Sequence, residues 1–437
     1  MDGRPKRSGG RSAIHRGRCG AFSPLERGVR DFGSIRGKAF PSICLSCLLI
    51  RLYGFAIFGS MEIGAAHQQI RSIVEGCLGN TPVIILGSGA SAAYGIHTMD
   101  ALADEIIRQV GASQEATKQS EDWQVFLSEI QKTSNLERSL ETIERNDTLT
   151  KLIAKVTWAL ICEKDYDVYK KLIGGDLHLA LSDTISHLSN GTGPVNYTKI
   201  ITTNYDRLAE YACDFVDDEY REYLHYTGFG YGLIRRPDDK FRTAIQNAQR
   251  RTLNRSEHPD IRKIIPVEIL KVHGSLDWFE HDDGTTIGLP AFKDCSGGLI
   301  PAIITPGKRK FERTHVHPYS MIIEAARLAL DNASSYFAIG FGFRDNHIHD
   351  NLEKKLKHQM RTKPFVVLAK TLTQETRSFF LENDKLGNFA LFEENDEGGS
   401  AIHFRNGSGG AAHSIKHVRK LWDLKEFNRT FINGEEL

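Results

Sequence analysis

VIILGSGAS (83–91) decides how this chain folds: an apolar run, Val83–Leu86, passes straight into a glycine-rich turn. Short runs of β-branched or aromatic residues bounded by Gly, Asn or His read as buried parallel strands. Three more stretches share the design, KIITTNYD (199–206), EILKVHGS (268–275) and YFAIGFG (336–342). In an open α/β sheet the ligand crevice lies beyond the carboxyl ends of the strands. A glycine loop, an Asn/Asp pair, a histidine and a second glycine turn are therefore expected along one sheet edge. That convergence points to a nucleotide site with catalytic groups in it.

Working outward from the first strand, HQQIRSIVEGCL (67–78) has helical spacing through Ile70, Ile73, Val74 and Leu78, and Thr81-Pro82 ends it. MDALADEIIRQV (99–110) reads as the helix after the glycine loop, with Leu102, Ile106, Ile107 and Val110 on one face. Residues 112–195 show no convincing strand; NLERSLETIERN (135–146) and TKLIAKVTWALICEK (150–164) are amphipathic, which predicts an inserted helical domain. Residues 213–264 read as a polar, irregular insertion, with nine Lys/Arg against four Asp/Glu between 233 and 263. That run reads as solvated surface, with a phosphate or partner contact as the alternative. HPYSMIIEAARLALDNA (317–333) reads as a helix leading into strand 335–339, and FVVLA (365–369) as another strand. The expected fold is α/β, a Rossmann-like parallel sheet with helices on both faces, spanning 61–375. Residues 376–437 form a mixed C-terminal segment without assigned chemistry.

The 437 residues are 40% apolar and 25% charged, ordinary for a soluble globular chain. The net charge of +1 conceals an asymmetry: residues 1–60 hold eleven Lys/Arg against three Asp/Glu, and the rest 45 against 52. A mildly acidic body argues against direct sequence-specific nucleic-acid binding. Seven cysteines are scattered, and the single CxxC (Cys44, Cys47) has no second pair to complete a zinc site. Reduced, cytoplasmic thiols are expected. Residues 1–60 are Arg/Gly/Ser-rich, then apolar from Phe40 to Phe58 around Arg51. Arg51 would cost about 2.5–3.5 kcal/mol inside a bilayer, so no membrane partner is expected. The segment reads as an unstructured or non-native N-terminal extension, with Met61 opening the functional polypeptide; a membrane segment and a partner-binding arm are the alternatives.

Each motif has a structural and a chemical reading. Small residues at Gly87, Ser88, Gly89, Ala90 and Ser91 let a backbone approach a diphosphate, or simply pack tightly. The loop is not a Walker pattern, because no Lys-Ser/Thr follows, and Ala93-Tyr94 break the GxGxxG of dehydrogenases. Asn204 with Asp206 supplies an amide and a carboxylate at a strand end, able to hold a water or carboxamide, or a simple turn. His273 sits where a general base is needed. Trp278 and Phe279 beyond it suit either an apolar wall or the core. Gly340 and Gly342 again permit close backbone approach. Asn346 and His347 read as capping and surface residues.

Taken in order, GSGAS-x3-G (87–95), TTNYD (202–206), HGS (273–275) and IGFGF (339–343) resemble the sirtuin family. The resemblance implies that Gly87, Ser88, Gly89, Ala90 and Ser91 line NAD. It sets Asn204 and Asp206 beside the nicotinamide ribose, His273 as the base, and Gly340 and Gly342 on the adenosine side. Two departures stand out. The four-cysteine zinc module that follows the histidine in protein-deacylating sirtuins is missing, since only Cys295 lies there, so no zinc is expected. The family's G-I-P-D-F-R loop is replaced by Gly95-Ile96-His97-Thr98-Met99-Asp100. With the helical insert, these features look like the sirtuin-like NAD-hydrolysing effectors of bacterial antiphage defence, some of which assemble with a HerA-type hexameric ATPase. The implied activity is NAD glycohydrolysis by a homo-oligomer with such an ATPase partner. An NAD-dependent deacylase or ADP-ribosyltransferase, and a non-catalytic nucleotide-sensing scaffold, are the competing readings.

Overall fold

The computed structural model describes residues 63–114, 118–133, 136–143, 147–190, 197–253, 262–281, 283–292, 299–303, 317–345, 362–383, 386–407 and 411–437. The expected extension 1–60, Cys295, Asn346 and His347 lie outside them. The described residues all belong to one compact unit, Phe58–Leu437.

The four quoted runs are strands. They are β1 (Val83–Leu86), β2 (Thr198–Thr202), the end of β4 (Lys263–Lys271) and β8 (Tyr336–Ile339). With β3 (Arg221–Tyr226), β9 (Phe365–Leu368), β10 (Asn388–Glu394), β11 (Ser400–Asn406) and β12 (His413–His417) they form a nine-stranded sheet. Its order is β12-β11-β10-β9-β8-β1-β2-β4-β3. Every pairing from β3 to β10 is parallel, and β11 and β12 add an antiparallel margin. The chain winds from β1 toward β2, β4 and β3, then returns to lay β8 on the other side of β1. Such a switch point opens a crevice at the carboxyl ends of the strands.

Alternation along β1 divides the core. Ile84 and Leu86 join one apolar cluster, Val83 and Ile85 the other. Ile70 and Ile73 of helix 63–79, Leu102 and Ile106 of helix Met99–Gly111, and Ile185 of helix Ala180–Asn190 cover the first face. Ile322 and Leu330 of helix Tyr319–Asn332 and Phe380 of helix Gln374–Phe380 cover the second. Strands buried on both faces by helices are what an all-apolar four-residue run requires.

Between 112 and 195 the described elements are helices: Ser120–Thr133, Leu136–Glu141, Asp147–Gly174 and Ala180–Asn190. Their Trp123, Leu140 and Ile153 belong to the same cluster as Ile84, so they share the sheet's core rather than closing one of their own. The stretch 213–264 is more regular than expected, holding β3 and helix Asp239–Leu253. Both are edge elements; the helix fully buries only Ile245 and Gln249 between its described ends, and such a narrow apolar stripe is faint in sequence. β4 begins at Lys263 despite Pro266. Pro266 pairs with Leu224 of β3, while β2 joins β4 only from Val267, so the proline sits where one side of the strand is unpaired.

β5 (Gly274–Glu280), β6 (Thr286–Gly288) and β7 (Ile300–Ile303) form a separate antiparallel sheet. It resolves the two readings of Trp278 and Phe279 in favour of the core. Trp278 packs on Phe229 and Tyr319, and Phe279 on Trp158 and Phe292.

Candidate active site

A cavity of about 600 Å³ opens at the carboxyl ends of β1, β2, β4 and β8, within the range of small-molecule sites. Its wall includes Gly87, Ser88, Gly89, Asn204, His273, Gly340 and Gly342, brought together from four strand ends. Ala90, Ser91 and Asp206 do not line it. Ala90 packs half-buried against the core, and Ser91 and Asp206 are buried behind the wall.

The two glycine turns lock onto each other. Gly87 N–H donates to the Ile339 carbonyl and Gly89 N–H to that of Gly340, each at 3.0 Å. A side chain at Gly87 would meet Phe341 Cα at 2.6 Å, and one at Gly89 would meet Gly340 Cα at 2.8 Å. Gly340 is left-handed at φ 59°, and its missing side chain leaves room for the Gly89 and Ala90 backbone. The glycines therefore weld β1 to β8 at the cavity floor. The N–H groups of Gly87 and Gly89 serve that weld, so the contact these residues offer a ligand is close backbone approach.

Asn204 is held by a relay. Its Nδ2 donates to the Gly87 carbonyl and to Ser91 Oγ, both at 2.9 Å, and Ser91 Oγ donates in turn to Asp206 Oδ2 at 2.6 Å. The other Asp206 oxygen accepts from Leu208 N–H at 3.1 Å. An amide nitrogen has two donors. Both are engaged, so Asn204 presents its Oδ1, an acceptor, to the cavity. Burial pushes the Asp206 carboxyl up to about 6, against the pull of the Lys271 charge and the Ser91 hydrogen bond.

Charged groups brace this relay from behind. Lys271, fully buried, donates to the Asp206 carbonyl and to Glu210 Oε1. Asp165, reaching in from helix Asp147–Gly174, accepts from Arg207 N–H at 2.8 Å, from the guanidinium and from Tyr211 Oη at 2.7 Å. Burial and the Asp165 charge push the Tyr211 phenol up. The helical segment thus secures the strand end that carries Asn204.

His273 follows β4 and is 5% exposed; Gly274, at φ 89°, turns the chain into β5 beneath the Ala302 carbonyl. The Nε2 of His273 lies 2.9 Å from Asp345 Oδ2. At the opposite end, Arg344 and the stretch Ala369–Thr373 line the wall, with Thr373 Oγ1 donating to the Gly342 carbonyl at 2.6 Å. Sequence reasoning missed Asp345, Lys271 and Asp165. A lysine inside the apolar run EILKVH was a readable sign of a buried charge network; Asp165 and Asp345 carried no such mark. Among the described residues, no cluster of three or more His, Cys, Asp or Glu could hold a metal ion.

No curated protein matches the chain. Solved structures with detectable likeness include one from a study of the mechanism and regulation of Sir2 enzymes (14% identity, TM-score 0.35, covering 72% of this chain and 90% of that one). A Sir2 homologue in complex with NAD is similar at 12% identity and TM-score 0.33, covering 71% and 82%. A structure from work on sirtuin substrate affinity is similar at 13% identity and TM-score 0.31, covering 67% and 84%. At such scores they add nothing to a sequence match that stands on its own. Residues 198–387, the stretch that carries Asn204, Asp206, His273, Gly340 and Gly342, match the SIR2-like domain family.

Proposed function

We propose that the chain is an NAD glycohydrolase, cleaving NAD to nicotinamide and ADP-ribose. The observation that carries this reading is the meeting of Asn204 and His273 on one cavity beside the Gly87–Gly340 weld, within a chain that holds a SIR2-like domain. NAD as substrate supplies a glycosidic bond whose leaving group departs as neutral nicotinamide, taking the bonding pair onto its nitrogen. The ribose carbon then resembles an oxocarbenium ion and is captured by water. His273 takes the proton of that water, and Asn204 Oδ1 accepts a hydrogen bond from the water or a ribose hydroxyl. A positioned base contributes about 10²–10⁴-fold. Gly87, Ser88, Gly89, Gly340 and Gly342 admit the dinucleotide backbone, and Arg344 and Lys370 offer positive charge to its phosphates. Ala90, Ser91 and Asp206 act from behind, through Asn204 and the loop.

Water, rather than an acyl group, is the nucleophile in this reading because Cys295 is the only cysteine after His273, too few for a four-cysteine zinc module. The wider assignment is a cytoplasmic antiphage effector that depletes NAD as a homo-oligomer, paired with a HerA-type hexameric ATPase. It rests on the motif order and the helical segment. No described helix is long and apolar enough to cross a membrane. The test is to incubate purified protein with NAD and quantify nicotinamide and ADP-ribose with and without an acetylated peptide. Release without peptide supports the glycohydrolase. Strict dependence on the peptide promotes the deacylase, and no turnover, with or without the ATPase, promotes the nucleotide-sensing scaffold.

A further inference from the structure

Asp345 reaches His273 from far away in the fold. His273 follows β4 and Asp345 follows β8, and between those strands lie β2 and β1. The strand ends are three spacings apart, roughly 14 Å. The segment that closes this gap is strained. Phe343, two residues before Asp345, is left-handed at φ 57°, which for a bulky side chain is a true outlier. Its ring is fully buried against Phe341, Phe365, Phe379 and Phe380, with centroids 5.0–6.0 Å away. Strain of this kind persists where packing enforces it, commonly at functional sites. The aromatic cluster thus fixes the turn that delivers Asp345 to the cavity. Arg344 goes the other way, its Nε 3.5 Å from Glu375 Oε2.

The geometry points to Asp345 as a positioning residue for His273. The inference rests on the glycohydrolase reading for its kinetic consequence. Both residues are about 5% exposed, so their interaction is little screened by water. The carboxylate oxygen lies 2.9 Å from Nε2 as an ion-pair contact, so its negative charge stabilises the imidazolium formed when His273 takes a proton from water. The same logic orders an aspartate behind the histidine in hydrolytic triads. The other titratable groups on the cavity wall are His97, Tyr205, Arg344 and Lys370. Behind the wall Lys271 faces Asp206 and Glu210.

The test compares Asp345→Asn and Asp345→Glu with the unsubstituted protein by NAD turnover across pH and by NMR titration of the His273 ring. Asp345→Asn is expected to lower kcat about 10²-fold or more while KM changes only a few-fold. Loss of the negative charge disfavours imidazolium, so the acid limb of kcat/KM and the NMR midpoint of His273 both move to lower pH. Asp345→Glu recovers part of the rate and returns the midpoint toward that of the parent. A rate loss with both midpoints unchanged would assign Asp345 a merely structural role and overturn the proposal; a rate gain would make Asp345 a latch and overturn it equally. If the parent protein does not cleave NAD, the glycohydrolase reading fails, and the NMR midpoint alone decides the pairing. If Asp345→Asn does not fold, Asp345→Glu against the parent carries the comparison.

Discussion

The two ends of the cavity are built in opposite ways. Around Asn204 and His273 the supporting side chains are buried and bonded: Ser91 is 2% exposed, Lys271 fully buried, and Asp206 engaged at both oxygens. At the other end the side chains stand in solvent, with Lys370 69% and Arg344 52% exposed. A bond-breaking site needs groups held in one geometry before the substrate arrives, which takes a packed, satisfied polar network. A phosphate or adenosine contact needs only charge and reach. Chemistry therefore suits the β2–β4 end and binding the β8–β9 end.

The sharpest way to break this contrast is to truncate the buried end. Asn204→Ala and His273→Ala are each expected to lower nicotinamide release at least about 10²-fold with the circular dichroism spectrum unchanged. Parental turnover in both variants would remove the reaction from this end altogether. The weld joining the two ends comes next. Gly340→Ala places a side chain against the Gly89 and Ala90 backbone at a left-handed position, and we expect a stability loss of roughly 2–5 kcal/mol in urea denaturation. A loss below about 1 kcal/mol would mean that the strands part easily there.

Asp206 tests whether the relay is held under electrostatic load. A folded-state carboxyl raised from 3.8 to about 6 binds its proton more tightly folded than unfolded. Its stabilising contribution is therefore full below pH 3.8 and is lost as pH rises to about 6. Relative to the parent, Asp206→Asn should gain stability over that window, by up to about 3 kcal/mol. A pH-independent difference between the two denaturation midpoints would contradict it. The smallest effect belongs to the exposed end. Lys370→Ala should raise KM for NAD only a few-fold and leave kcat unchanged, since exposed charges contribute about 0–1 kcal/mol. A kcat loss matching that of Asn204→Ala would erase the distinction between the ends.

The four apolar runs were legible as strands because burial on both faces leaves unbroken stretches of Val, Ile and Phe. Their carboxyl-end residues were legible as neighbours because parallel strands share a direction. β3 and helix Asp239–Leu253 were hidden by their edge positions, where one exposed side dilutes the pattern. β10, β11, β12 and helix Leu424–Phe431 were hidden by charge: Glu393 and Arg405 lie in strands, buried but paired with Arg377 and with backbone carbonyls.

What the sequence determined by itself is which residues stand at the strand ends, because local hydrophobic pattern and turn chemistry are properties of contiguous residues. What only the tertiary structure decided is which of them face the cavity. Ser91 and Asp206 fall behind Asn204, the glycine N–H groups turn to the neighbouring strand, and Asp345 crosses two strands to meet His273. Those outcomes depend on hydrogen bonds and close packing between segments more than 70 residues apart, and no local pattern encodes the direction in which a side chain turns once two strand ends are joined.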